Sequence, residues 1–98
     1  MAQLMIAETF FHQKNYEAAL REYLRVEILY AYPKWQAGAL LQAAKCHERL
    51  GQTDAAAALY ARVVKTYSDT PAAEEAANRL RMAELRSSRT LREDELRQ

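Results

Sequence analysis

Helix breakers and disulfide partners are what this chain has least of. Only two glycines and two prolines interrupt 98 residues, while Ala, Leu, Glu, Arg and Gln, all good helix formers, are plentiful. Helices should therefore dominate. A single cysteine excludes an internal disulfide, and cysteine usage leaves the redox compartment open. No apolar run approaches the roughly 20 residues that cross a bilayer, so membrane insertion is not expected. The start, MAQLMIAETFF, lacks a basic segment followed by a long apolar one and does not read as a secretory signal; an export signal could lie upstream in a longer chain. Nor does one sign of charge prevail: 14 Lys and Arg face 13 Asp and Glu, for a net charge of +1. No whole-protein field steers the chain to nucleic acid or an anionic membrane.

What the sequence does contain is a self-match at an offset of 37 residues. Ala19, Tyr23, Val26 and Tyr30 answer Ala56, Tyr60, Val63 and Tyr67. A fixed period of this length on helical spacing means stacked helical hairpins, whose usual work is to hold another molecule. Five helical segments follow from the apolar pattern. The first carries Leu4, Ala7, Phe10 and Phe11 and breaks at Lys14-Asn15, with Asn15 expected to take the left-handed conformation that ends it. The second carries Tyr16, Ala19, Leu20, Tyr23, Val26 and Tyr30, and Pro33 closes it while suiting the first turn of the third. The third carries Ala37, Leu40, Leu41, Ala44 and Leu50 and stops at Gly51. Thr53 or Asp54 is expected to cap the fourth, which carries Ala56, Leu59, Tyr60, Val63, Val64 and Tyr67. Thr70-Pro71 opens a fifth, with Thr70 as its cap and a thinner stripe of Ala73, Ala76, Ala77, Leu80 and Ala83.

The joint spacing of these residues resembles the tetratricopeptide repeats, which pair two antiparallel helices over about 34 residues. The second hairpin fits best, through Leu40, Ala43 and Ala44, the Leu50-Gly51 turn, then Ala56, Tyr60 and Val63. The first has Ile6, Ala7, Phe10, Tyr16, Ala19, Tyr23 and Val26, but Lys14 stands where the turn glycine belongs. The resemblance implies an all-α, right-handed stack of antiparallel hairpins, two repeats plus a C-terminal capping helix. Its expected bounds are 1–86, with repeats at about 2–32 and 33–69, a cap at about 71–86 and a polar helical extension or linker at 87–98. The aromatic and proline junctions Tyr30 to Trp35 and Tyr67 to Ala72 further resemble bacterial cell-envelope members, including the outer-membrane barrel-assembly lipoprotein and the Tol–Pal accessory protein. That likeness implies a periplasmic setting, with the cytoplasm as the alternative.

In this register the first helix of each hairpin presents an inner, concave wall. Leu4, Met5, Glu8, Phe11 and His12 belong to it in repeat one, and Leu41, Gln42, Lys45, Glu48 and Arg49 in repeat two. Such an amphipathic wall suits a peptide or helix of a partner, which needs apolar anchors and polar groups to fix its direction. The bland reading is that Leu4, Met5 and Phe11 pack on a preceding repeat, and it weighs about equally. Lys45 and Arg49, one turn apart, form a cationic pair able to hold a carboxylate; a solvated face with Glu48 as neutraliser is the commoner arrangement. Tyr16, Tyr23, Tyr60 and Tyr67 sit on repeat positions and read as core. Tyr32 and Trp35 do not, and Trp35 is expected at the seam between hairpins rather than as an exposed anchor.

Catalytic readings find little support. Cys46 and His47 are adjacent and diverge by about 100° on a helix, so they do not share a metal, and Cys46 reads as a buried, inert thiol. There is no phosphate loop, metal-binding His-Glu-x-x-His helix or nucleophile elbow. No enzyme activity, cofactor or metal is therefore expected. Arg79, Arg81, Arg86, Arg89 and Arg92 are offset by acids in the same segment and have no aromatics between them, which argues against nucleic acid. Two roles remain: a protein-interaction scaffold using the inner wall, or an assembly element whose apolar ends pair with a second copy, as a homodimer, or with further repeats.

Overall fold

The computed structural model describes residues 2–83; the expected extension at 87–98 and the end of the capping segment lie outside them. Four helices, α1 (Ala2–His12), α2 (Tyr16–Leu29), α3 (Pro33–Arg49) and α4 (Thr53–Thr66), are followed by α5, helical from 71 to 83, the last described residue. The fold is an all-α, tetratricopeptide-like solenoid. Helices adjacent in the chain pack on one another, α1 on α2, α2 on α3 and α3 on α4, and the α2–α3 contact between the hairpins is as extensive as those within them.

The 37-residue offset recurs in the backbone of the two turns. Lys14 at φ 62 and Gly51 at φ 78 both take the left-handed conformation. Asn15 N–H donates to the Phe10 carbonyl at 2.9 Å and Lys14 N–H to Phe11 at 3.0 Å, while Gln52 N–H donates to His47 at 2.8 Å and Gly51 N–H to Glu48 at 3.1 Å. Both hairpins thus turn through the same pair of reverse bonds that satisfies the last carbonyls of a helix. The left-handed residue in the first turn is Lys14, not Asn15, which sits at φ −87 as the residue preceding α2. Paired C-terminal bonds fix the position, and lysine takes the strain that glycine avoids at Gly51.

The expected hydroxyl caps also differ. Gln52 precedes α4, and no side chain caps it; Thr53 is already its first residue. Thr70 Oγ1 donates backwards to the Tyr67 carbonyl at 2.6 Å, so it closes the preceding turn instead of accepting from α5.

Two contiguous cores hold the stack. Ala7, Ala19, Tyr23 and Val26 bury against Ala39, Ala43 and Cys46. Ala37, Leu40, Leu41 and Ala44 bury against Ala56, Tyr60 and Val63, with Ala73 and Ala76 closing the far side. α3 is the shared wall, one face in each core. Small residues at Ala19 and Ala56 allow the backbones to approach, and the tyrosines four residues on fill the wider space behind them. The period continues into α5: Ala76 and Leu80 lie 37 residues beyond Ala39 and Ala43 and pack on hairpin two as those pack on hairpin one. α5 therefore takes the place of the first helix of a third repeat.

A polar clamp ties the hairpins together at their outer edge. The Glu27 carboxylate, largely buried, accepts from Arg62 Nη2 at 2.9 Å and from the Tyr67 hydroxyl at 3.0 Å. The Glu27 carbonyl accepts from Gln36 Nε2 at 2.9 Å. Burial and the Glu27 carboxylate both push the Tyr67 pKa up, because each disfavours a phenolate.

Candidate functional site

The residues expected on the inner wall divide by hairpin and by depth. Met5 is 66 % exposed, Glu8 and His12 are exposed, and Leu4 and Phe11 are half-buried against the first core. In hairpin two, Glu48 and Arg49 are exposed and Gln42 and Lys45 half-buried. Leu41 is only 4 % exposed and belongs to the second core, which removes it from any surface a ligand could touch. The physical reason is that α3, unlike α1, is packed on both sides, by hairpin one and by α4 and α5, so a wider arc of its surface is covered.

Charges on the wall of hairpin two are engaged with α5. Lys45 Nζ lies 3.3 Å from Glu75 Oε1, and Arg79 Nη1 lies 3.6 Å from Glu48 Oε2. Arg79 Nε also approaches Glu75 at 3.8 Å. The expected Lys45–Arg49 pair is therefore split: Lys45 already holds a carboxylate of its own chain, and Glu48 turns to Arg79. Pairs this exposed are each worth about 0 to 1 kcal/mol and exchange readily with a competing partner.

At the end of this wall a cleft of about 350 Å³ opens between the end of α3, the start of α4 and the last described turn of α5, lined by Glu48, Arg49, Thr53, Ala56, Ala57, Tyr60 and Ala83. Tyr60 is 2 % exposed, and its hydroxyl has no hydrogen-bond partner among the described residues. Burial and then the neighbouring Glu48 carboxylate push its pKa up, with Arg79 opposing, yet neither side chain is in hydrogen-bonding geometry with it. The repeat register places Tyr60 in the core, where it lies, and carries no sign of the cleft that Tyr60 also lines.

The junction aromatics form a second cluster. Trp35 meets Tyr32 at 5.0 Å and Tyr30 at 6.3 Å between ring centroids, and remains 43 % exposed. Trp35 thus packs on the seam's own aromatics and still shows a face to solvent. Cys46 is a free, buried thiol, and burial pushes its pKa from 9.0 up to about 11, which suppresses the reactive thiolate. Among the described residues no group of three or more His, Cys, Asp or Glu side chains is placed to hold a metal ion. No described helix is long and apolar enough to cross a membrane.

With the hairpin geometry in place, comparison with known families bears on the second repeat. A tetratricopeptide repeat model matches residues 38–70. Hairpin two is similar to that repeat. The match begins in α3, passes the Gly51 turn and ends after α4, so it takes in the second-core residues Leu40, Leu41, Ala44, Ala56, Tyr60 and Val63. Tetratricopeptide repeats generally mediate protein–protein interaction and are not catalytic units. No match to a curated protein or to a solved structure was found.

Proposed function

We propose that the chain is a protein-interaction scaffold that holds a peptide or helix of a partner along the wall formed by α1 and α3. The observation that carries this reading is the exposed, apolar Met5 beside half-buried Leu4 and Phe11, continued by Gln42, Lys45, Glu48 and Arg49 on α3. Leu41 supports the wall from beneath. Apolar anchors at one end and mixed charge at the other give a bound segment both affinity and a direction. Photo-crosslinkers placed at Met5, at Gln42 and at Lys65 on α4 test it. One partner captured from both wall positions and not from Lys65 is the expected result; capture independent of position contradicts it.

An assembly role has its own support at the first hairpin. Ile6 is 46 % exposed, whereas Ala43, at the equivalent position, is buried against the preceding hairpin. Ile28 is 80 % exposed and Leu29 is exposed beside it, where hairpin two carries Lys65 and Thr66. An apolar end of this kind suits a second copy or a further repeat. Light scattering over a concentration series, with Ile28→Asp as the control, separates the two: dimers that persist on dilution and dissolve in the variant favour assembly. For the compartment, the junctions' resemblance to cell-envelope proteins supports a periplasmic scaffold, and fractionation of the producing cell tests that against the cytoplasm.

A further inference from the structure

The cleft in hairpin two has a filled counterpart in hairpin one. Stepping back 37 residues converts Glu48 to Phe11, Thr53 to Tyr16 and Ala57 to Leu20. Those three larger side chains pack onto the first core around Ala19 and Tyr23, and the Phe11 and Tyr16 rings meet edge-on at 5.3 Å. In hairpin two the short or charged replacements leave that volume open above Ala56 and Tyr60. The two sites share a backbone frame and differ in content: one holds its own aromatic pair, and the other is hollow.

A buried polar group without a partner tells what the hollow lacks. Tyr60 lines the cleft, and its hydroxyl is buried and in hydrogen-bonding geometry with none of the described residues. An occupant that only filled space would leave it unsatisfied, while an occupant with a hydroxyl at the tip of an aromatic ring would fill the volume and complete the bond. From the ring-filled counterpart and the orphaned hydroxyl together, we infer that this cleft receives a tyrosine side chain of a partner peptide, its ring over Ala56 and Ala57 and its hydroxyl on Tyr60. Glu48 and Arg49 at the rim flank the peptide backbone on either side of that anchor. This assignment rests on the scaffold reading above and narrows its ligand.

The test uses the full chain and small probes in place of the unidentified peptide. p-Cresol, the tyrosine side-chain analogue, and toluene, the phenylalanine analogue, are titrated while alanine methyl resonances are followed by NMR. p-Cresol should shift Ala56, Ala57 and Ala83 saturably and bind about fivefold more tightly than toluene, the ratio expected for one net hydrogen bond. Tyr60→Phe should bring the two probes to near parity. Ala57→Leu, which restores the residue of hairpin one, should abolish both shifts, with Thr53→Tyr as the second filling variant should the first fold poorly. Absence of saturable shifts at these methyls overturns the site, whether the cleft is too wet or is occupied by residues 84–98. Equal affinity of the two probes in the unmodified protein overturns the tyrosine assignment. Crosslinking from Met5 and Gln42 that survives Ala57→Leu would leave the scaffold reading standing while the cleft is discarded.

Discussion

The two hairpins follow one backbone plan with different side chains, and the differences concentrate at their turn ends. Hairpin one turns on Lys14 and fills the space beside the turn with Phe11, Tyr16 and Leu20; hairpin two turns on Gly51 and leaves that space open. The buried register does not change: Ala19, Tyr23 and Val26 are as deeply buried as Ala56, Tyr60 and Val63. Positions between helices are therefore set by stacking, and positions at the turns are available for other uses. That division is what repeat architectures permit, since each unit needs only its neighbours to be stable.

The largest expected break in the symmetry is alkaline and lies in Cys46, whose counterpart is Ala83, because burial raises Tyr23 and its counterpart Tyr60 alike. Burial raises Cys46 from 9.0 to about 11 and, with Glu8 and Cys46 nearby, raises Tyr23 from 10.0 to about 12. Both groups keep their protons in the folded state after the unfolded chain has lost its own. Stability is thus fully present below pH 9 and falls as pH rises toward 12, by about 2 to 3 kcal/mol per group. Cys46 lies only in the first core, so Cys46→Ala should remove the earlier part of this loss. Chemical denaturation at pH 8, 10 and 11 measures it, and a profile unchanged in the variant would separate the thiol from the effect.

Overpacking comes next. Ala19→Leu should cost about 1 to 3 kcal/mol because no space remains beside it, lowering the melting point by about 4 to 8 °C per kcal/mol. Ala56→Leu should also destabilise, but by less, because its neighbour is the cleft. Equal or absent losses at both positions would undo the register. A smaller effect separates the turns. Gly51→Lys should cost about 1 kcal/mol, since the space around Gly51 is open and only the left-handed backbone resists a side chain; Lys14→Gly should gain a similar or smaller amount. Thermal melts of the pair check both signs.

Much of this fold is legible in the sequence because stacking is periodic. The alternation of Ala19, Tyr23 and Val26 with their partners at 37 residues identified both second helices, and Gly51 marked its turn. The wall was harder to read. Leu41 shares a stripe position with Leu4, but the local pattern does not record that α3 is covered from both sides and α1 from one. The caps misled for a related reason: Asn15, Thr53 and Thr70 are favourable residues at helix starts, yet the paired bonds that close each preceding helix fix the turn and leave the hydroxyls elsewhere. The cleft was the least visible feature. It exists only as a difference between Phe11, Tyr16 and Leu20 and their counterparts, and a search for matching residues passes over positions that fail to match.

The central claim is that one frame is filled in hairpin one and hollow in hairpin two, and a paired melt tests it directly. Leu20→Ala should lower the melting midpoint, at about 1 to 2 kcal/mol for a half-buried leucine. Ala57→Leu, the reverse change at the equivalent position, should raise it by about 1 kcal/mol through cavity filling. Opposite signs are the result this account predicts; a fall in both variants would show that the two sites are packed alike and contradict it.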